Sequence, residues 1–245
     1  MDKSISRYTK DYNDDYGFEA EMVRYRCQLV QERLSHYRPA NVIELGCGRD
    51  LQAAAYVNAG GQWDSWTIVE PSATFAEVAR QSGLPNLNVV QGFFEEIAPS
   101  DLGAADFILC SGLLHEVPDA DSLMSAIAAR MCPDTVVHLN VPNARSMHRQ
   151  LAQNMGLIQD LTELSARNTT LQQPRVYDLE RLCAQAAAHG LRVTETGGHL
   201  VKPFTHAQML PLVESLGREV MDGLYQLGRA RPDLASEIFI EARRA

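Results

Sequence analysis

Val42-Ile43-Glu44-Leu45-Gly46-Cys47-Gly48-Arg49-Asp50 is the stretch from which this chain is read. Its β-branched, apolar approach predicts a short buried strand. Two glycines one residue apart then give a turn where backbone can pass close to a ligand. Glu44 adds a carboxylate just before that turn, which suits an adenosine-type cofactor carrying a positive charge better than a pyrophosphate. The dinucleotide pattern G-x-G-x-x-G needs a third glycine so that a helix packs closely and faces phosphate. Leu51 stands at that position.

Working outward, the pattern predicts strands alternating with helices. Residues 19–35 have helical spacing and are stopped by Pro39. After the strand at 42–45, an alanine-rich helix at 51–59 is ended by Gly60-Gly61. A second strand at 66–70 is followed by a helix capped by Ser72 and running to about 81. Strands three, four and five are predicted at 87–90, 106–110 and 135–141, with a weakly patterned connection at 95–102 and a helix at 121–131. A helix at 177–189, closed by Gly190, leads to a strand at 191–196. A last strand at 237–242 follows a helical stretch at 207–228. This order indicates an α/β fold with a mostly parallel sheet.

The 245 residues are read as a single domain, with an N-terminal helical cap (1–38), a lid (144–175) and a helical insertion (205–230). A net charge of −9 without any basic run argues against nucleic acid as a partner. Five scattered cysteines with no C-x-x-C pair argue against a disulfide framework and predict no metal site. The polar start and the lack of a long apolar run predict a cytoplasmic protein with no membrane partner.

The companions of the glycine turn carry the functional reading. Strand two ends in Glu70-Pro71-Ser72, where a carboxylate can accept hydrogen bonds from both hydroxyls of a ribose. Strand three runs into Gly92-Phe93-Phe94-Glu95, whose backbone and aromatic faces could hold an adenine ring. Strand four leads into Ser111-Gly112-Leu113-Leu114-His115-Glu116. This succession, over about 42 to 241, resembles the class I S-adenosylmethionine-dependent methyltransferases, and Leu139-Asn140-Val141-Pro142-Asn143 with Tyr177-Asp178 resembles their small-molecule branch. The resemblance implies a Rossmann-like seven-stranded, mostly parallel sheet with an antiparallel last strand inserted beside the fifth. Helices would lie on both faces. The two helical insertions are read from the pattern as lids over the site, the alternative being that they pad the edge of the core.

The same resemblance implies roles. Glu44, Gly46, Cys47 and Gly48 would approach the methionine and ribose portions of S-adenosyl-L-methionine. Glu70 and Pro71 would meet the ribose, Gly92, Phe93 and Phe94 the adenine, and Ser111 and Gly112 the sulfonium. Phe93 replaces an acid often found there, so stacking or a backbone contact would hold the adenine. For Glu44 the alternative is an ordinary strand-end charge, and one of Phe93 and Phe94 is expected in the core.

His115 and His148 are the candidate general bases, since imidazole titrates near neutrality. For His115 the alternative is a pocket-shaping role. Tyr8, Tyr12, Tyr16, Arg26, Asn140, Asn143, Arg175 and Tyr177 are the candidate acceptor contacts. The expected reaction is methyl transfer to an oxygen or nitrogen of a small molecule in a biosynthetic pathway (a natural product or a surface sugar). The alternatives are a non-catalytic cofactor-binding partner protein and a nicotinamide-dependent oxidoreductase, the latter disfavoured by Leu51.

Overall fold

A computed structural model describes Ile5, Ser6, Thr9, Lys10 and residues 17–245. Helix α1 (Glu19–Tyr37) precedes β1 (Asn41–Leu45), α2 (Gln52–Asn58), β2 (Ser65–Glu70), α3 (Ala73–Gln81) and β3 (Leu87–Gln91). Next come β4 (Phe107–Ser111), α4 (Ala120–Arg130) and β5 (Val136–Pro142). Two short helices, α5 (Met147–Asn154) and α6 (Ala166–Thr170), occupy the expected lid. The chain closes with α7 (Leu179–Ala188), β6 (Leu191–His199), α8 (His206–Ala230) and β7 (Glu237–Arg244).

The strands form one seven-stranded sheet in the order β3-β2-β1-β4-β5-β7-β6. Strands β1 to β5 are parallel, and β7 runs antiparallel between β5 and β6. The expected inserted last strand is therefore present. Side chains alternate across the sheet because strand side chains have a period of two. Val42, Trp66, Ile68, Phe107 and Leu109 pack against Val30 and Leu34 of α1, Tyr56 of α2 and Phe75 of α3. Ile43, Leu45, Ile108, Cys110 and Leu139 pack against Leu123, Met124 and Ile127 of α4 and Leu182 of α7. Each large apolar side chain buried in these layers contributes about 1.5–3 kcal/mol.

Capping explains where the helices begin. Ser72, Asp119 and Asp178 accept from the backbone N–H groups of Phe75, Ser122 and Arg181. The helix expected from Tyr177 thus starts at Leu179, because Tyr177 makes a β-bridge with Asn143 and Asp178 is the cap. Strand β6 runs past its expected end at 196 because β7 pairs with it as far as His199. Helix α8 is kinked at Gly217 and packs Met209, Met221 and Tyr225 on Phe18, Met22 and Tyr25. No helix among the described residues is long and apolar enough to cross a membrane.

Candidate active site

The strand order reverses between β1 and β4, and ligands of open α/β sheets bind beyond the carboxyl ends of strands at such a point. Two cavities open there. A chamber of about 410 Å³ is bounded by the loops after β1 and β4, by the lid and by the start of α8. A second cavity of about 360 Å³ lies over the ends of β2 and β3. Leu45, Gly46 and Leu113 line both, so the cavities adjoin at the glycine turn.

Gly46 has φ +70°, and a Cβ there would meet Leu113 at 3.4 Å. A side chain at 46 would strain the backbone and crowd the junction. Gly48 (φ 55°) and the buried Cys47 complete the turn on the chamber side. Burial and the nearby carboxylates push the Cys47 thiol well above its usual range, so it is an uncharged wall group.

Glu44 is 2% exposed on the chamber wall. Its Oε2 accepts from the Trp66 indole at 2.9 Å, and its Oε1 accepts from the Gln52 amide at 3.4 Å. Burial raises its pKa to about 7, against these two bonds that favour the ionised form.

Glu70 lines the second cavity, fully buried, and burial raises its pKa as well. Its Oε1 accepts from the Ser72 amide at 2.8 Å, and its Oε2 from the Gly48 amide at 3.2 Å. The Cys47 thiol is a weaker donor to the same carboxylate at 3.7 Å. A carboxylate has about four lone-pair positions, so Glu70 retains acceptor capacity for a ligand hydroxyl. Pro71, Gly92, Phe93 and Phe94 line the same cavity. Phe93 is 37% exposed, whereas Phe94 is buried in the core with the Arg130 guanidinium 4.4 Å from its ring centre. Ile5 also borders this cavity, while Tyr8, Tyr12 and Tyr16 lie outside the described residues.

On the acceptor side, Ser111, Gly112, His115 and Asn143 reach the chamber wall. His115 is buried, with Nε2 3.6 Å from Oε1 of Glu116, which also accepts from Gln173 at 3.1 Å. His148 lines the chamber too, its Nδ1 3.1 Å from the Ser146 hydroxyl. Burial and the neighbouring Lys202 lower its pKa to about 3. So weak a base takes up a proton poorly at neutral pH, which corrects the expectation of a base at His148.

Other acceptor candidates are committed elsewhere. Arg26 lines the chamber, but its guanidinium grips Glu237, bonds Glu19 at 3.3 Å and packs over Gly112. Arg175 and Tyr177 are not on the wall. Arg175 ties down the carbonyls of Leu114, Val117 and Pro118, and Tyr177 is a core residue whose hydroxyl donates to Gln185. Asn140 is fully buried in β5; it donates to the Ile238 carbonyl and accepts from Ser111, so it stands behind the wall. Asn143 donates to the carbonyls of Pro232 and Ala235 and accepts from the Arg145 amide, which is turn bonding.

Sequence reasoning overlooked Glu19, Trp66, Lys202, His206 and Glu237. Two carried a signal: Lys202 interrupts the apolar run after β6, and Glu237 stands directly before the apolar run Ile238-Phe239-Ile240. Burial lowers Lys202 to about 7. Burial would raise Glu237, but Arg26 overrides it and holds the carboxyl down at about 2.

A family model described as a methyltransferase domain matches residues 18–196. The chain belongs to that methyltransferase-domain family. The family's methyl donor is S-adenosylmethionine. The chemistry of that donor fits these walls: buried carboxylates at Glu44 and Glu70 face one cavity each, and the Gly46 cradle joins them. Lys202 and His206 lie beyond the matched segment.

A ubiquinone biosynthesis O-methyltransferase of Bordetella avium is 28% identical over 121 residues, 48% of this chain and 49% of its own. The chain thus matches about half the length of that curated relative. The plantazolicin methyltransferase BamL, solved with a triazolic desmethylPZN analog and SAH, superposes with a TM-score of 0.60 at 15% identity. That alignment covers 98% of this chain and 90% of BamL. The 1,6-didemethyltoxoflavin-N1-methyltransferase of Burkholderia thailandensis gives a TM-score of 0.54 at 17% identity, over 90% of this chain and 76% of that one. Both structural likenesses speak to the fold.

Proposed function

We propose that this protein transfers a methyl group from S-adenosylmethionine to an oxygen or nitrogen of a small-molecule acceptor in a biosynthetic pathway. The adjoining of the two cavities at Leu45, Gly46 and Leu113 carries this reading. The cavity over β2 and β3 would take the adenosine, the near end of the chamber the methionine, and the remainder of the chamber the acceptor. The names of the relatives, one an O-methyltransferase and one an N1-methyltransferase, support a choice between those two atoms.

When bound, the donor supplies an electrophilic methyl group on a sulfonium. The residues' main task is then alignment, which in well-oriented cases lowers a barrier by about 7–11 kcal/mol. Glu70 would accept from a ribose hydroxyl, and Phe93 would border the adenine. Glu44 would face the methionine ammonium. Ser111, held by Asn140, and Gly112 would line the approach to the methyl group. His115 would take the acceptor's proton, and the Glu116 carboxylate beside it would stabilise the imidazolium formed. Residues 144–175, through α5 and α6, would serve as the wall that keeps bulk water from the acceptor.

Titration calorimetry against S-adenosylmethionine and against NAD tests the donor. We expect binding of the first and none of the second; no heat with saturating S-adenosylmethionine would overturn the reading. Mass spectrometry of acceptor panels then reads turnover, and cofactor binding without any methylated product favours a non-catalytic partner protein.

A further inference from the structure

Lys202 sits on the segment between β6 and α8, 3% exposed, on the wall of the acceptor chamber. Buried lysines are paired in nearly all folded proteins, because an isolated ammonium is costly to desolvate. Lys202 has neither a salt bridge nor a hydrogen bond among the described residues. Glu19 is the acid whose field acts on it, and that carboxylate is already shared by Arg26 at 3.3 Å, Arg167 at 3.0 Å and His206 at 3.7 Å.

The surrounding charge has the same sign. Arg149 and Arg167 lie on the chamber wall from the lid side, and both weigh against the Lys202 charge. His148 and His206, from α5 and the start of α8, are held neutral near pH 7 by burial, at about 3 and about 2. Across the chamber, Glu237 is neutralised by Arg26. Glu19 and Glu237 are thus already engaged by arginines, which leaves an anionic ligand group as the natural partner for Lys202.

Resting on the methyltransferase reading above, we infer that the acceptor carries a carboxylate, which Lys202 binds as a charge-assisted pair while the methyl-accepting atom faces Ser111 and His115. Lys202 is then a specificity residue for the acceptor, distinct from the groups that hold the methyl donor. A carboxylate beside it restores the pairing that burial demands and raises the lysine's proton affinity. A neutral acceptor of the same shape offers no such pairing and leaves the lysine at its lowered proton affinity.

The test uses the whole protein saturated with S-adenosylhomocysteine, titrated with benzoate and with its neutral isostere benzamide. Benzoate is expected to bind about tenfold or more tightly than benzamide. Lys202→Met should abolish that preference and Lys202→Arg should restore it, with S-adenosylhomocysteine affinity unchanged in both as the check on folding. If Lys202→Met does not fold, labelling of the wild-type lysine by trinitrobenzenesulfonate replaces it, and benzoate but not benzamide should slow the labelling. Equal affinity for the two probes, no binding of benzoate, a preference that survives Lys202→Met or labelling indifferent to benzoate each overturn the assignment. Failure of S-adenosylhomocysteine to bind the wild type would instead overturn the methyltransferase reading.

Discussion

The guanidinium of Arg26 in α1 grips the carboxylate of Glu237 at the start of β7, Nε to Oε2 at 2.9 Å, and so joins the two ends of the fold beside the acceptor chamber. Removing one partner of a buried pair leaves an uncompensated charge, typically at a cost of about 3–5 kcal/mol. Arg26→Met should therefore lower the denaturant midpoint substantially. The sign with pH follows from the depressed Glu237 value of about 2 against an ordinary 4.5. Its contribution is complete above about 4.5 and is lost as pH falls toward 2. Acid unfolding of Arg26→Met should begin at higher pH than in the wild type, and coincident acid transitions would refute the pairing.

Glu44 behaves in the opposite way. Its folded pKa of about 7 lies above the ordinary 4.5, so between those values the folded state keeps a proton that the unfolded chain releases. Its contribution to stability thus falls as pH rises from about 4.5 to 7 and is flat above, by about 3 kcal/mol in all. Glu44→Gln should flatten that slope in urea titrations across the same window. A ligand ammonium beside Glu44 favours the ionised form, so S-adenosylmethionine binding at pH 6 should release a proton. Calorimetry in buffers of contrasting ionisation enthalpy reads this, and a release that persists in Glu44→Gln would place its source elsewhere.

Glu70→Ala should weaken S-adenosylhomocysteine. One charge-assisted hydrogen bond to a ribose hydroxyl makes the expected loss about ten- to a hundredfold in Kd. Calorimetry checks it, and unchanged affinity would remove Glu70 from the ribose site.

His115→Ala should reduce single-turnover methyl transfer by about 10²–10⁴-fold for an acceptor whose nucleophile bears a proton. Affinity for S-adenosylhomocysteine should be unchanged. Equal rates in mutant and wild type would reduce His115 to a wall residue.

Local pattern made the sheet legible. The apolar run before Gly46, the cap at Ser72 and the acid after Ile68-Val69 each depend on near neighbours in the chain. Even the inserted last strand followed from an apolar pattern at 237–242 together with the family resemblance. The acceptor side was less legible because Arg, Asn and Tyr have several physical uses. Arg175 turned out to cap backbone carbonyls and Tyr177 to fill the core, and neither fate leaves a mark in sequence spacing.

By itself, then, the sequence determined the order of strands and helices, the glycine turn and the positions of Glu44 and Glu70 at strand ends, because periodicity and turn chemistry act over a few residues. Tertiary structure alone decided that Arg26 answers Glu237, that Trp66 holds Glu44, that His148 is buried into a weak base and that Lys202, on the chamber wall, has no salt-bridge partner among the described residues. Those outcomes depend on desolvation and on charges brought together from distant parts of the chain, and burial is a property of the folded molecule.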